Sequence, residues 1–172
     1  MYDLAAVYFP KSKDIYHSII PAKMAATEIN LIDLDTAAKS IPADVPIVMI
    51  NLLKFRSQTV YPKGSPDTNV PGEEAYLTRY VAGIREITAT WGEESGAAMK
   101  PLWLGKFQAN MLAGPFDGNE VWDRVGIVWY SNFAAFRKLA GSEEYAAGPL
   151  KHRHAALENW RLFATVPWAG QA

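Results

Sequence analysis

The sequence predicts an α+β fold in which helices cover one face of a four-stranded antiparallel sheet, and three observations carry that prediction. Four short apolar runs rich in strand formers begin near Ile47, Pro101, Val125 and Arg161. Helical spacing fills the gap between the first two and the gap between the last two. Between the middle two lies GPFDGNE, whose Gly114-Pro115 and Asp117-Gly118 supply turn chemistry and make those runs an antiparallel hairpin.

Residues 1–44 read as a partly helical N-terminal extension. Pro10, Pro21 and Pro42 interrupt any long helix there, and Lys11–Ile20 and Met24–Leu34 are the best helical stretches. Residues 45–172 form the main domain. Its first strand, around VMINLLKF, is too continuously apolar for a half-exposed strand, so burial on both faces is expected. Residues 56–72 collect Ser, Thr, Pro, Gly and Asp into a long loop carrying Tyr61, and loops of that length are often functional or mobile. From Glu73 to Thr88, the residues Leu77, Tyr80, Val81, Ile84 and Ile87 share a helix face, and Glu73 and Glu74 suit the positive end of its dipole. Strands over Pro101–Ala113 and Val125–Tyr130 follow. Ser131 or Asn132 caps a helix through Phe133, Phe136 and Leu139, and Ser142 caps the next. After Gly148-Pro149, helical spacing through Leu150, His154, Leu157 and Trp160 leads to a last strand, Arg161–Val166. The order from residue 45, β-α-β-β-α-β, is the split βαβ or ferredoxin-like motif.

Composition removes whole classes of function. The 172 residues match one domain, and 17 Lys+Arg against 18 Asp+Glu leave no net field to draw in nucleic acid or an anionic membrane. With no cysteine there is no disulfide, thiolate metal site, iron–sulfur cluster or Cys nucleophile. The opening MYDLAAVYFPKSKD has neither the basic start nor the apolar stretch of a signal peptide, and no run approaches a membrane span, so a cytoplasmic protein is expected. Six Trp, eight Tyr and seven Phe are a large supply for core, interface or pocket.

The segments VMINLLKF, GEEAYLTRYV, WYSNFAAFRKLAGSEEY and HRHAALENWRLF, in this order, resemble the dimeric α+β barrel family catalogued as domain of unknown function thirteen-thirty. Its most specific elements here are Asn51, Glu74-Ala75-Tyr76, Arg79-Tyr80, Ser131, Ala135-Phe136, Glu144-Tyr145 and His152-Arg153 before Ala155-Ala156-Leu157. The resemblance implies a ferredoxin-like half-barrel that pairs sheet-to-sheet with a second copy. It implies no reaction, since the family has no agreed activity. The N-terminal extension, the Tyr61 loop, and Trp-Tyr-Ser-Asn in place of Tyr-Pro-Ser depart from the family pattern. Relatives by fold, among them cofactor-free monooxygenases, lactone isomerases and haem-degrading monooxygenases, hold a ligand between sheet and helices. By analogy alone, that is where a ligand is expected. Independently, a sheet face rich in large apolar residues is not left in water, which argues for a homodimer through that face.

Candidate chemistry centres on His154, Asn51 and Tyr130. His154 falls on the stripe of Leu150, Leu157 and Trp160, and a half-buried histidine is either a general base or a hydrogen-bonded core residue. Asn51, an amide among Met49, Leu53 and Phe55, either orients a substrate oxygen or caps a neighbouring loop. With Tyr130 these groups are the ones an oxygenase or isomerase without cofactor needs. Trp103 and Trp129 on the strands, Tyr76 and Arg79 on the helix, Arg124, Arg153 and Tyr61 are the substrate-binding candidates. For Tyr76 and Arg79, a solvated helix face with an aromatic anchoring the fold is the stronger reading over a pocket rim that binds an anionic group. His152 and His154, two apart on a helix, diverge and cannot chelate one ion, so no metal is expected. No organic cofactor is implied either, as no glycine-rich phosphate loop is present. The reading is a small-molecule-binding protein, an enzyme of cofactor-independent type or a non-catalytic homodimer, with haem binding a third alternative.

Overall fold

The computed structural model describes residues 31–91, 99–111 and 121–168. The expected helix at Lys11–Ile20 and the Gly114–Gly118 turn lie outside the described residues. The elements are α1 (Leu31–Ala38), β1 (Ile47–Phe55), α2 (Gly72–Ala75), a π-helical turn (Tyr76–Tyr80), α3 (Val81–Ala89), β2 (Met99–Lys106), β3 (Arg124–Tyr130), α4 (Phe133–Ala140), α5 (Glu143–Ala147), α6 (Pro149–Ala156) and β4 (Leu157–Thr165).

The four strands form one sheet in the order β2-β3-β1-β4, every neighbouring pair antiparallel. Each helical crossover therefore joins two parallel strands with a third, antiparallel strand between them. Register sorts the residues of β1 onto two faces. Ile47, Met49, Asn51 and Leu53 stand opposite Tyr130, Val128, Gly126 and Arg124 of β3, and this face is covered by helices. Val48, Ile50 and Leu52 stand opposite Trp129, Ile127 and Val125 on the reverse face. These reverse-face residues of β1 are only half-buried in the single chain, so β1 is buried on one face and not on both as its composition predicts.

Two apolar clusters weld the helices to the sheet. One joins Ile47, Met49 and Tyr130 to Ile84, Phe133, Phe136, Leu139 and Tyr145, and Leu34 of α1 belongs to it. The segment before Val45 thus contributes to the main core, and Asp35 adds an ion pair to Arg137 of α4. The other cluster joins Leu53, Phe55 and Leu157 to Ala75, Tyr76 and Ala156. Helix ends follow their capping chemistry: Asn132 accepts from Ala135 N at 2.8 Å, Ser142 accepts from Tyr145 N at 3.1 Å, and Pro149 opens α6.

Two boundaries differ from the sequence reading, and the long loop is fastened to the body. β2 ends at Lys106, well short of Ala113, because the chain leaves the sheet once Phe107 N has bonded Asp123 O. α6 ends at Ala156 and β4 starts at once, so Leu157 and Trp160 are strand residues and not part of a helical stripe. The long loop is stitched down: Arg56 N bonds Ala156 O at 2.8 Å, Val60 N bonds Ala155 O at 3.0 Å, and Thr59, almost fully buried, takes Val70 N on its hydroxyl at 3.0 Å. Among the described residues no helix is long and apolar enough to cross a membrane.

Candidate ligand cavity

Between the sheet and the helices lies a cavity of about 780 Å³. Its floor is the covered sheet face, with Met49, Asn51, Leu53, Val128, Tyr130, Trp160 and Leu162, and its roof is the helix from Tyr76 to Ala89. At Gly126, opposite Asn51, the floor carries no side chain. Met99, Pro101, Trp103 and Leu104 border it along the β2 edge, where Trp103 and Leu104 are half-exposed.

The π-helical turn places Tyr76 and Tyr80 one above the other, their ring centroids 4.7 Å apart and both lining the cavity. Such widened turns are rare and concentrate at functional sites. Tyr76 leans on Phe55 at 5.4 Å, and the hydroxyls of Tyr80 and Tyr145 stand 3.5 Å apart. Into this group α6 inserts Arg153, only 5% exposed. Its guanidinium carbon lies 4.6 Å from the Trp160 ring centre, 5.8 Å from that of Tyr145 and 5.9 Å from that of Tyr80, within cation–π range of all three. Burial raises the Tyr76 hydroxyl well above its ordinary pKa, with Tyr80 adding to the rise and Arg153 opposing it. Burial, reinforced by Tyr80, does the same to Tyr130. Both phenols stay protonated at neutral pH and act as hydrogen-bond donors, not bases.

Of the residues singled out from sequence, the structure brings Asn51, Tyr130, Tyr76 and Arg153 to the cavity, whereas Trp103, in register with Ile127, lays its ring over Gly105 on the reverse sheet face and borders the cavity only at the β2 edge. Asn51 Nδ2 donates to Gly126 O at a long 3.4 Å, across the strand pair and not to a loop. The structure corrects the expectation for His154, which is exposed on the outer side of α6. The buried stripe of that helix is Pro149, Arg153 and Ala156, one residue out of phase with the expected one, because the Leu157 and Trp160 that set the expected phase lie on β4. Trp129 is corrected too: its register with Val48 and Lys100 puts it on the reverse sheet face, with Lys100 Nζ 5.4 Å from the ring centre. Arg124 faces the helices but is held by Glu73 at 2.5 Å, outside the cavity.

Tyr61 and Arg79 form a separate polar cluster against α6. Arg79 Nη1 donates to the Tyr61 hydroxyl at 3.1 Å and to Thr68 O at 2.9 Å, and that hydroxyl sits 2.8 Å from His152 Nδ1. Asp67 and Lys151 pair beside it at 2.9 Å. Sequence reasoning missed Tyr80, Tyr145 and Trp160 as cavity residues. The first was legible as the i+4 partner of Tyr76 on one helix face, whereas the other two depend on the α5–α6–β4 path. Among the described residues no His, Asp or Glu lines the cavity, and no three such groups converge anywhere as a metal site would require.

The geometry defines a class, an α+β protein with a tyrosine-rich cavity between a four-stranded antiparallel sheet and its helices. Two crystal structures of RPA0582, a protein of unknown function from Rhodopseudomonas palustris, are similar to it over most of its length. One is 28% identical with a TM-score of 0.67, covering 84% of this chain and 98% of that one. The other, of methylated RPA0582, is 30% identical with a TM-score of 0.63, covering 87% of this chain and 100% of that one. The chain belongs to the same family as RPA0582. No family model matches the chain, nor does any curated protein.

Proposed function

We propose that this protein is a ferredoxin-like, dimeric α+β barrel protein that binds a small, largely apolar molecule between its sheet and helices. The cavity carries this reading: about 780 Å³, framed by aliphatic and aromatic side chains with a few polar groups among them, is the size and character of a small-molecule site. The strand order β2-β3-β1-β4 with two crossovers supports the ferredoxin-like assignment. The reverse sheet face, with Val48, Ile50, Trp129 and half-exposed Phe163, supports pairing with a second copy.

Binding is favoured over catalysis by one observation: with His154 on the outside, the described lining residues hold donors but no general base of ordinary pKa. An enzymatic reading of oxygenase or isomerase type retains Asn51 and the tyrosine hydroxyls as donors to developing negative charge, and requires a substrate that arrives already activated. For the haem alternative, no histidine stands among the described lining residues to ligate the iron.

The test is thermal-shift screening of the full chain against phenols, quinones, aromatic and fatty acids, and haem. Saturable, concentration-dependent stabilisation is expected from at least one class. The control is Gly126→Leu, since a Cβ at Gly126 meets only ordinary contacts, 3.7 Å to Leu104 and 3.8 Å to Asn51, before the longer side chain fills the cavity. That variant should fold and lose the stabilisation. A panel without any shift, or a Gly126→Leu protein that responds like the parent, defeats the reading.

A further inference from the structure

We infer that the ligand is a neutral carbonyl compound, apolar apart from the oxygen that accepts hydrogen bonds from the Tyr76 and Tyr130 hydroxyls; this rests on the cavity being the ligand site.

Two phenols in the cavity are left without hydrogen bonds. Tyr76 is 8% exposed and Tyr130 6%, and neither hydroxyl meets a hydrogen-bond partner among the described residues. Their neighbours Tyr80 and Tyr145 differ, since the hydroxyls of those two stand 3.5 Å from each other. Tyr76 and Tyr130 both line the cavity, and their oxygens open to it instead of being sealed in packing. Buried polar groups are ordinarily satisfied, so a pair of exceptions in one cavity points to a partner from outside the chain. The two stand near enough to act on one another: burial is the main cause of the raised Tyr76 hydroxyl, and Tyr80 and Tyr130 add to the rise. One ligand of the cavity's size therefore reaches both.

The kind of partner follows from what each hydroxyl lacks. A phenol carries one proton and two lone pairs, and a buried donor without an acceptor is the rarer and less tolerated state. The ligand therefore supplies acceptors. An ammonium supplies donors only, leaves both protons unmatched, and finds no carboxylate among the described lining residues. An anion supplies acceptors but brings a charge that needs a counter-charge once it leaves water. Arg153, the buried charge of the lining, is already engaged with the rings of Trp160, Tyr145 and Tyr80 and in a further contact within the chain, and Arg85 is exposed at the rim. An alcohol supplies an acceptor together with a further proton to place. A carbonyl oxygen has two lone pairs and neither proton nor charge, which complements two phenol donors. Asn51 adds a third donor, as its amide makes a single long bond, to Gly126 O at 3.4 Å. Met49, Leu53, Val128 and Leu162 give the rest of the molecule an apolar floor.

The experiment titrates the full chain by calorimetry near neutral pH with probes that share one frame and differ at its central carbon: benzophenone, benzhydrol, diphenylmethane, diphenylacetate and benzhydrylamine, the last two ionised. Benzophenone should bind about three-fold tighter or more than the alcohol and either ion. Tyr76→Phe and Tyr130→Phe should each weaken benzophenone by about two- to ten-fold, while diphenylmethane, which accepts no hydrogen bond, should stay within about two-fold. Both variants keep the ring and remove a hydroxyl that bonds nothing among the described residues, so their urea midpoints should match or exceed the parent's. If either fails to fold, the ranking of the probes on the parent protein decides. An ion or the alcohol binding as tightly as benzophenone overturns the carbonyl assignment and leaves the cavity reading standing, as does a benzophenone affinity that neither substitution changes. Binding of no probe, or binding that Gly126→Leu leaves intact, overturns both readings together.

Discussion

At the scale of single residues, His152 shows how one ring nitrogen ties the long loop to α6. The Tyr61 hydroxyl accepts from Arg79, which leaves its own proton for Nδ1 of a neutral His152. Burial is the main influence holding the imidazole below its ordinary value of 6.5; nearby Lys151 and Arg79 also push it down, and Asp67 pulls it up. A histidine depressed in the folded state is protonated first in the unfolded chain. Stability is therefore full above 6.5 and falls as pH drops from there to the folded value. His152→Gln should flatten the pH dependence of the urea midpoint between about pH 7.5 and about pH 5; an unchanged slope would show that other groups govern it. Asp67 does not confuse this window. Its carboxyl lies below its ordinary 3.8, chiefly through its hydrogen bond to Lys151, so its contribution is lost only at more acid pH. Single residues were also where the sequence misled most. Asn51 and Tyr130 were legible because a strand places alternate side chains on one face. On α6 a phase error of one residue, about 100° of rotation, exchanged buried Arg153 for exposed His154.

At the scale of elements, the entry to α2 depends on a missing side chain. A Cβ at Gly72 would stand 2.5 Å from both Ala156 O and Arg56 O, and these are backbone atoms that cannot swing aside. The close approach lets Gly72 N bond Arg56 O at 3.1 Å and brings α2 against the junction of α6 and β4. Gly72→Ala should cost roughly 1–3 kcal/mol of stability by urea unfolding, as overpacking does elsewhere. A loss within experimental error would mean the junction is free to open. Helices with a strong apolar stripe, α3 and α4 above all, were readable from the sequence because periodicity is a local property, and α4 carries its Asn132 cap as well. The π-helical turn was not, since Tyr76–Tyr80 reads as ordinary helix and only the backbone reveals its wider pitch. The α6–β4 boundary was hidden for a related reason: helix passes into strand at Ala156–Leu157 with no Gly, Pro or Asn between them to mark the change.

At the scale of the molecule, the strand order followed from the element order, because a split βαβ pair permits few arrangements of four strands. The cavity did not follow, since it depends on which helix residues meet which floor residues across a space no local pattern encodes. Assembly belongs to this scale as well. Ile50 stands opposite Ile127 on one side and Phe163 on the other, at the centre of the reverse sheet face, and Phe163 is 50% exposed in the single chain. If that face joins two copies, Phe163→Asp should turn a dimer into a monomer in sedimentation velocity without altering far-UV circular dichroism. A parent protein that sediments as a monomer, or a variant that remains dimeric, rules out this interface. The alternation of β1 has one last consequence. Met49, Asn51 and Leu53 serve the cavity while Val48, Ile50 and Leu52 serve the opposite side, interleaved along nine residues. Inserting or deleting one residue inside β1 would send every later side chain to the wrong side, damaging both surfaces at one stroke. The length of this strand is therefore under tighter constraint than the identity of any of its residues, and variants of this chain should carry substitutions in β1 but no gaps.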